Sequence, residues 1–353
     1  MTDRLDLGIL GLGNVGTVHL QSARAMDGVE VRAVADAVPE NRRRARRFGV
    51  ADTYDDYGDL LASASVDAVV VALPPFLHED AVVRAAEAGV DAFVEKPFAT
   101  DLASADRMLA AAEDADVSLG VDHTIRYFPS VVEMKRVYDE GRLGHVPMAS
   151  IGRVNNWPFE RPPATRAVPD WRLDADATGG GALLDLGVHL FDVLEWFFGE
   201  LTVEHASTDR QLNLPYEDTA VVVLKSAETG TLATLQCGFF QWEEPPDLNM
   251  RFRLDGVADA LHDGEYVPDN LPVHAAKSAL SNTWRRVTGR DPEYFGPTYY
   301  YRAHYRALGD FVEAVRTGER PPVGGAEGRR TVELVERAYE AAGLDREREV
   351  AAP

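Results

Sequence analysis

The stretch LDLGILGLGNVG, residues 5–16, decides the fold of the amino-terminal part of the chain. It begins with a short apolar run typical of a buried strand, and the next segment, TVHLQSARAM, has the apolar spacing of an amphipathic helix. The turn between them reads G-x-G-x-x-G. Gly11 permits a tight turn, Gly13 lets the backbone approach a pyrophosphate, and Gly16 allows close packing of helix on strand. Because free N–H groups at a helix start attract phosphate, we predict a dinucleotide site here rather than a purely structural glycine turn.

An acidic residue follows at the distance that such a site requires. The segment VEVRAVAD (29–36) is a second predicted strand, and it ends at Asp36, about 20 residues beyond Gly16. A carboxylate at this spacing accepts hydrogen bonds from the adenosine ribose hydroxyls and repels a 2′-phosphate, which favours NAD over NADP as the cofactor. The arginines at positions 42–44 keep NADP as an alternative, unless they only form a solvated helix face.

Strands and helices continue to alternate as far as residue 123. Predicted strands cover 66–74, 91–98 and 117–123, with helices between them and Gly89 as a helix stop. This alternation predicts an α/β domain, residues 1–123, with a doubly wound parallel sheet of about six strands. Ligands bind such sheets at the carboxyl ends of the strands. The residues that we expect around this crevice are Asp36, Leu73, Pro74, His78, Glu95 and Lys96.

The tripeptide EKP, residues 95–97, lies at one of these strand ends. Lys96 is one of four lysines in the chain and would stand beside the expected nicotinamide position. Glu95 is placed to pair with it, and Pro97 rigidifies the exit at a bond type that permits a cis peptide. We therefore favour a functional lysine over an ordinary surface lysine at a strand end.

From about residue 124 the pattern changes. Strands of alternating character, such as EDTAVVVLKS and GTLATLQCGFF, follow one another without intervening helices. Such a run implies an antiparallel or mixed sheet, so residues 124–353 are expected to form an α+β domain. Helices are predicted at 128–144, 181–198, 304–318 and 327–342. The last two can pack back on the first domain.

A polar stripe interrupts the otherwise apolar predicted helix GALLDLGVHLFDVLEWFF, residues 181–198. Asp185, His189, Asp192 and Glu195 follow one another at steps of four, three and three, which keeps them near one face. A helix that is apolar nearly all round is buried, so the stripe must face a partner, a cavity or a cofactor. Asp185 and His189 can hydrogen-bond to each other, which would fix the imidazole tautomer and raise its basicity.

Three interpretations of this stripe compete. The stripe could be a buried histidine–carboxylate pair with no catalytic role, a metal site, or a catalytic base with a carboxylate that orients it. No further ligand cluster is evident in the sequence, so no metal is expected. The dinucleotide motif in the same chain favours the catalytic base, because nicotinamide enzymes that oxidise alcohols need a group to take the hydroxyl proton.

Composition limits the classes of function. The formal net charge of -22 argues against binding to nucleic acid or to anionic membranes. Since no apolar run reaches about 18 residues and no basic leader is present, neither a membrane span nor a signal peptide is expected, and a cytoplasmic location is predicted. The acidic, lysine-poor composition is typical of salt-loving microbes, although a GC-rich genome gives a similar bias. Cys237 is the only cysteine, which excludes an internal disulfide and favours a small buried side chain.

Together the motifs resemble a known family. GLGNVG with Asp36, EKP, RYFP at 126–129 and WRLDADATGGGALLDLGVHLFD at 171–192 are similar, in this order, to the glucose–fructose oxidoreductase, inositol dehydrogenase and rhizopine-catabolism family (Gfo/Idh/MocA). The resemblance spans about residues 5–198. It implies an amino-terminal Rossmann domain, a carboxy-terminal domain with a largely open antiparallel sheet, and a homodimer or homotetramer. It also implies hydride transfer between NAD(P) and a secondary hydroxyl or ketone of a sugar, polyol or derivative.

The resemblance further implies roles for individual residues. Lys96 would orient and polarise the reacting hydroxyl, Asp185 would bind the substrate and support His189, and His189 would be the general acid/base. Asn14 and the backbone of Val15 would help to hold the pyrophosphate. The residues implied near the substrate are Arg126, Trp171 and Arg172. The segment DHTIRYFP departs from the commoner asparagine-containing version near its start, which puts one substrate contact in doubt.

Three functions follow as hypotheses. The first is an NAD(P)-dependent dehydrogenase acting on a small carbohydrate or polyol. The second is an enzyme of glycosidase or epimerase type that retains NAD and recycles it. The third is a non-catalytic NAD-binding sensor, which the presence of both Lys96 and His189 disfavours. The passage NNWPFERPP (155–163) is a candidate pocket wall that fits several substrates.

Overall fold

A computed structural model describes residues 4–155, 170–240, 250–263, 280, 283–284, 287–288 and 299–344. Residues 156–163 of the candidate pocket wall lie outside the described residues. Among the residues described, no helix is both long enough and apolar enough to cross a membrane.

The first sheet has six parallel strands in the order β3-β2-β1-β4-β5-β6. The strands are β1 (Leu5–Leu10), β2 (Val29–Ala35), β3 (Asp52–Tyr54), β4 (Ala68–Val71), β5 (Asp91–Val94) and β6 (Leu119–Val121). All four residues of β4 are buried because helices cover both faces of the sheet, as its uninterrupted apolar sequence predicts. The predicted doubly wound sheet is confirmed.

Helices connect these strands. They are α1 (Asn14–Arg24), α2 (Pro39–Arg47), α3 (Tyr57–Ser63), α4 (His78–Glu87) and α5 (Leu102–Ala115). Helix α4 ends where predicted, since Gly89 has a φ of +68° just beyond its last turn.

The glycines of the first turn meet the steric demands that the motif predicts. Gly11 has a φ of +87°, and a Cβ there would lie 2.4 Å from the carbonyl oxygen of Ala72. A Cβ on Gly16 would lie 2.0 Å from the oxygen of Gly11, so helix and strand approach more closely than any side chain allows. A Cβ on Gly13 would meet nothing within 4 Å, which leaves open space in front of the turn.

The second sheet has the order β12-β11-β7-β10-β9-β8. Its strands are β7 (Met148–Val154), β8 (Leu201–Asp209), β9 (Thr219–Ser226), β10 (Leu232–Gly238), β11 (Met250–Asp255) and β12 (Ala260–His262). Neighbours are antiparallel except β7 and β10, which run parallel from Met148 beside Leu232 to Val154 beside Gly238. Buried and exposed residues alternate along β9, because only one face of the sheet meets the core. The α+β prediction is confirmed.

The inner face of this sheet packs against a nearly apolar helix. Helices α6 (Pro129–Asp139), α7 (Ala175–Thr178) and α8 (Val188–Phe198) precede β8. Phe191 and Phe198 of α8 are almost fully buried, and Phe197 meets Phe252 of β11 edge-on with ring centres 5.0 Å apart. The predicted helix at 181–198 is correct in place but not in type, because Leu183–Gly187 forms a π-helical turn before α8.

Glu217 explains the glycines that open this segment. Its buried carboxylate accepts hydrogen bonds from the N–H groups of Gly181 and Leu183 at 3.0 and 2.9 Å, and from the hydroxyl of Tyr339 at 2.8 Å. A Cβ on Gly181 would lie 1.8 Å from the main-chain oxygen of Glu217. Position 181 therefore needs glycine so that the helix start can reach this carboxylate.

The last two helices join the sheets. Helix α9 (Tyr299–Thr317) places Leu308 and Phe311 in the core beside β1 and β5, and α10 (Gly325–Ala341) contributes Leu334 and Tyr339 to the core of the second sheet. Between them, the oxygen of Val323 accepts a hydrogen bond from the N–H of Val121 in β6 at 3.0 Å.

Candidate active site

A lysine that follows β5 is bonded to a carboxylate in the segment before α8. Lys96 follows β5, after which its bond to Pro97 is cis. Its Nζ donates to Oδ1 of Asp185 at 2.8 Å and to the main-chain oxygen of Asp185 at 2.9 Å. The two side chains remain 22% and 26% exposed, so a ligand can reach them. Burial opposes ionisation of Asp185, but the nearby charges of Lys96 and Arg172 hold the pKa of that carboxyl below its usual range.

Each carboxylate of the polar stripe binds a cation from a different element. Lys96 binds Asp185, and Arg126 binds Asp192 through two hydrogen bonds of 2.8 and 2.6 Å. Nε of Arg330, in α10, donates to Glu195 at 2.9 Å. The stripe therefore contacts cationic side chains of the same chain, and Asp185 is its most exposed carboxylate, at 26% against 1% for Asp192 and 16% for Glu195.

His189 lies one helical turn beyond Asp185 and is 4% exposed. The hydrogen bond predicted between these two side chains does not form. The Asp185 carboxylate instead accepts a hydrogen bond from Lys96, and Nδ1 of His189 is buried without a hydrogen-bond partner among the described residues. The π-helical turn changes the angular relation that a regular helix would give this pair. Burial first, and then the charges of Arg153 and Lys96, lower the pKa of His189 well below its ordinary value, whereas the sequence predicted a raised basicity.

A second histidine stands beside this one and was missed. His123, directly after β6, is fully buried, with its ring centre 6.3 Å from that of His189. Burial lowers the pKa of His123. Neither ring nitrogen has a hydrogen-bond partner among the described residues, and Nε2 lies 3.9 Å from Oδ1 of Asp192. A signal was available in the sequence, because His123 ends the predicted strand 117–123 and ligands bind such sheets at the carboxyl ends of the strands.

Arg126 has a different partner from the one expected. Its guanidinium forms a bidentate pair with Asp192 and lies 5.6 Å above the ring of Trp196, with 13% of the side chain exposed. The Nε and Nη2 donors are thus used inside the protein, and the implied substrate contact of Arg126 stays a prediction. The guanidinium of Arg172, by contrast, stacks 4.7 Å from the Trp171 ring and is near enough to influence Asp185.

Two residues expected to touch the cofactor make contacts within the protein. Nε2 of His78 lies 2.9 Å from the oxygen of Leu73 and Nδ1 lies 3.0 Å from that of Pro97, so this buried imidazole ties the loop after β4 to the EKP loop. Burial lowers the pKa of His78, and its contacts with main-chain oxygens only partly oppose this. The expected pairing of Glu95 with Lys96 is also wrong, because Oε1 of Glu95 is 2.7 Å from Nε2 of His19.

Glu95 belongs to a buried cluster that the sequence analysis missed. Oδ2 of Asp122 lies 2.6 Å from Nδ1 of His304 and 3.3 Å from Nε2 of His19. Burial alone would lower the pKa of His19, but its hydrogen bonds to the carboxylates of Asp122 and Glu95 raise it to about 9. These four residues are far apart in the sequence, and no spacing pattern links them.

The first turn and Asp36 fit a dinucleotide. Helix α1 starts at Asn14 without a side-chain cap from Gly13, and a helix start attracts phosphate, here beside the open space at Gly13. Oδ2 of Asp36 accepts a hydrogen bond from the N–H of Leu12 and Oδ1 accepts one from Val38, both at 2.7 Å. These bonds fix the carboxylate beside the glycine turn.

The three arginines after Asp36 bond to neighbouring protein groups. The acceptors are the main-chain oxygens of Asp36 and Ala37 for Arg42, the carboxylate of Glu40 for Arg43, and the main-chain oxygen of Leu12 with the side chain of Asn41 for Arg44. Their guanidinium groups therefore do not converge on one another as a preformed phosphate clamp.

Comparison with known proteins decides the family. The model of the oxidoreductase family with an NAD-binding Rossmann fold matches residues 5–123, and that of the GFO/IDH/MocA C-terminal domain matches residues 131–260. The chain belongs to the Gfo/Idh/MocA oxidoreductase family. The resemblance drawn from the motifs is thus confirmed, as is the NAD-binding character of the first domain.

Relatives cover nearly the whole chain. It is 30% identical to D-xylose 1-dehydrogenase (NADP(+)) 2 of Haloferax volcanii, over 95% of this chain and 96% of the relative. It is 27% identical to myo-inositol 2-dehydrogenase of Thermotoga maritima, over 92% of each chain. A levoglucosan dehydrogenase solved with NADH and levoglucosan superposes with a TM-score of 0.78 at 20% identity, covering 97% of this chain and 98% of that one.

The Gfo/Idh/MocA chain is accordingly an NAD(P)-dependent oxidoreductase. Its named relatives are dehydrogenases, which supports the dehydrogenase prediction over the retained-cofactor hydrolase or epimerase and over the sensor. The structure brings Lys96, Asp185 and His189 to the carboxyl edge of the first sheet, where a Rossmann fold binds its ligands.

Proposed function

We propose that this protein oxidises a secondary hydroxyl of a sugar or polyol by transferring hydride to NAD. The observation that carries the proposal is the contact of Lys96 with Asp185, one helical turn from His189, at the edge of an NAD-binding sheet. A cation, a carboxylate and an imidazole in one crevice are what an alcohol needs in order to bind, lose a proton and stabilise its oxygen.

Lys96, His189 and Asp185 have different roles in the proposed oxidation. The Lys96 ammonium donates a hydrogen bond to the substrate oxygen and stabilises negative charge as the O–H proton leaves. His189 is uncharged at neutral pH, since its pKa is lowered, and it takes that proton on Nε2 because Nδ1 is sealed inside the protein. Asp185 holds Lys96 in place and can accept a hydrogen bond from a neighbouring substrate hydroxyl. NAD, when bound, would accept the hydride from the substrate carbon that carries this oxygen.

The cofactor that we propose is NAD. Asp36 is held beside the turn with its negative charge facing the expected ribose, where it would repel a 2′-phosphate. Arg42–Arg44 are bonded to neighbouring protein groups, which removes the main reason to prefer NADP. The residues that would hold NAD are Gly11, Gly13, Asn14, Val15, Gly16 and Asp36, with Leu73 and Pro74 along the crevice.

Two observations support a sugar or polyol as the substrate. Relatives that cover nearly the whole chain are named for D-xylose and for myo-inositol, both rich in secondary hydroxyls. In this chain Arg172, stacked on Trp171, lies close enough to influence the charge of Asp185, so it can add a hydrogen-bond donor for a polyhydroxylated ligand.

A direct assay tests the proposal. Absorbance of reduced nicotinamide is followed with NAD or NADP against a panel of inositols, aldoses and sugar acids, at low salt and in molar KCl. Turnover with NAD on one polyol class is the expected result, and a requirement for molar KCl would support the salt-adapted origin that we infer from the acidic composition. Turnover with NADP alone would overturn the role of Asp36. If the protein binds the cofactor but turns over no compound of the panel, the proposed dehydrogenase reaction is contradicted.

We also propose that the open face of the second sheet forms a homo-oligomer. Met148 and Leu232, which are neighbours across β7 and β10, are 55% and 45% exposed, and Val221 of β9 is 41% exposed. Large apolar side chains on one exposed sheet face are typical of an interface. Light scattering should report a dimer or tetramer, and the double variant Met148→Lys, Leu232→Lys should shift it to a monomer. A wild-type monomer would contradict this.

A further inference from the structure

The buried cluster of His19, Glu95, Asp122 and His304 lies between the first sheet and a late helix. His19 comes from α1, Glu95 and Asp122 follow the ends of β5 and β6, and His304 comes from α9. Each of the four is at most 6% exposed. The cluster is separate from the contact of Lys96 with Asp185, and no step of the proposed reaction uses it.

Four side-chain atoms of this cluster converge on one point. They are Nε2 of His19, Oε1 of Glu95, Nδ1 of His304 and Oδ2 of Asp122, and all lie within 4.8 Å of one another. Each histidine nitrogen faces both carboxylates: from His19 the distances are 2.7 and 3.3 Å, and from His304 they are 3.9 and 2.6 Å. The arrangement is a closed ring of alternating nitrogen and oxygen atoms rather than a chain of pairwise bonds.

These distances fit a metal ion at the centre. Zn²⁺ binds imidazole nitrogen and carboxylate oxygen at about 2.0–2.2 Å, so adjacent ligands of a tetrahedral ion lie about 3.4 Å apart. The four measured separations, from 2.6 to 3.9 Å, bracket that value. Small movements of the side chains would complete the coordination.

The charges of the cluster also call for a cation. Two carboxylates are buried together, and no lysine or arginine in the described part of the chain pairs with either. Oδ1 of the fully buried Asp122 has no hydrogen-bond partner among the described residues. Buried carboxylates need compensating charge, which protons on the imidazoles or one divalent ion between two neutral imidazoles would supply.

We propose that this cluster is a binding site for one divalent transition-metal ion, with Zn²⁺ as the best fit. Two imidazoles and two carboxylates disfavour Mg²⁺ and Ca²⁺, which prefer oxygen ligands alone. The ion would join α9 to α1 and to the ends of β5 and β6, and so would stabilise the packing of the late helix on the first domain.

Metal binding by the full chain tests this without any activity assay. The protein is treated with chelator, desalted and titrated with Zn²⁺ alone, and separately with Co²⁺, whose visible absorption reports its coordination. We expect one equivalent of metal per chain and a rise in the unfolding temperature. The variants His304→Gln and Asp122→Asn, which keep the shape of the side chains, should each weaken binding by at least about tenfold.

Controls separate this site from adventitious binding. The variant His205→Gln, at an exposed position on β8, should bind the ion like the wild type. If both cluster variants fold and bind Zn²⁺ and Co²⁺ as the wild type does, or if the wild type binds neither, the proposal is overturned and protonated histidines alone neutralise the carboxylates. Should either variant fail to fold, the stoichiometry and Co²⁺ spectrum of the wild type still decide the question.

Discussion

The ammonium of Lys96 is bonded twice to Asp185, at 2.8 Å to its carboxylate and at 2.9 Å to its main-chain oxygen. A strand end of the NAD-binding domain is thereby fixed to the π-helical turn that precedes α8. The main-chain contact matters because it persists whatever the side chain of residue 185 is. Lys96 therefore keeps a defined position, where we propose that the substrate hydroxyl binds.

Replacing Lys96 should reduce kcat far more than it affects cofactor binding. Lys96→Met keeps the length of the side chain but removes the donor that stabilises the developing alkoxide, so we expect a loss of about 10²–10³-fold in kcat. Stopped-flow absorbance gives kcat, and fluorescence titration gives the dissociation constant of NADH.

Lys135, paired with Asp139 on α6, is the matched control. Lys135→Met should leave kcat within about twofold of the wild type, because its partners, Asp139 and the rings of Tyr138, Trp196 and Phe197, have no role in the proposed reaction. Wild-type turnover in Lys96→Met would show that this lysine does not act on the substrate oxygen.

Replacing His189 should remove a proton acceptor and one limb of the pH profile. A base must be unprotonated to act, and burial lowers the pKa of His189 well below the ordinary value of about 6.5. The acidic limb of kcat/KM should therefore fall below pH 6.5, with activity lost as the pH decreases through it. His189→Asn should lower kcat by about 10²–10⁴-fold and abolish this limb. A limb unchanged in the variant would assign the base to another group.

Asp36 should determine the choice of cofactor. The variant Asp36→Ser keeps a hydrogen-bond acceptor but removes the charge that repels a 2′-phosphate. Like-charge repulsion of a few kcal/mol corresponds to a change of about 100-fold in the NAD to NADP ratio of kcat/KM. In Arg43→Ala, which breaks only a surface pair with Glu40, the ratio should stay constant. Equal use of both cofactors by the wild type would contradict this role.

The pair of Arg126 and Asp192 should contribute to stability rather than to substrate binding. Asp192 is 1% exposed, so Asp192→Asn would leave the Arg126 charge buried and uncompensated, at a cost of about 3–5 kcal/mol in the free energy of unfolding. Urea denaturation measures this cost. Glu133→Gln, which breaks a solvent-screened pair with Arg136, should leave the free energy of unfolding nearly unchanged. If Asp192→Asn is as stable as the wild type and has a raised KM, Arg126 contributes to substrate binding instead.

Much of the fold could be predicted because its signals are local. The strand, turn and helix at 5–24 follow from apolar spacing and from three glycines whose steric roles depend only on adjacent backbone. The single cysteine was predicted to be buried, and Cys237 is 1% exposed, with burial raising its pKa well above the usual value. The stripe of Asp185, His189, Asp192 and Glu195 was also visible, because helical spacing is a property of the sequence alone.

What the sequence by itself determined is therefore the order of the elements, the sheet types and the location of a dinucleotide site. Which side chains pair was decided only by the tertiary structure. Lys96 and Asp185 are 89 positions apart, and Asp122 and His304 are 182 apart. A carboxylate pairs with whichever cation or imidazole the packing of distant elements brings within about 3 Å, and desolvation makes that pairing obligatory in the interior. Periodicity carries no information on such encounters, so Glu95 could not be assigned to His19 rather than to its neighbour Lys96 until the fold was known.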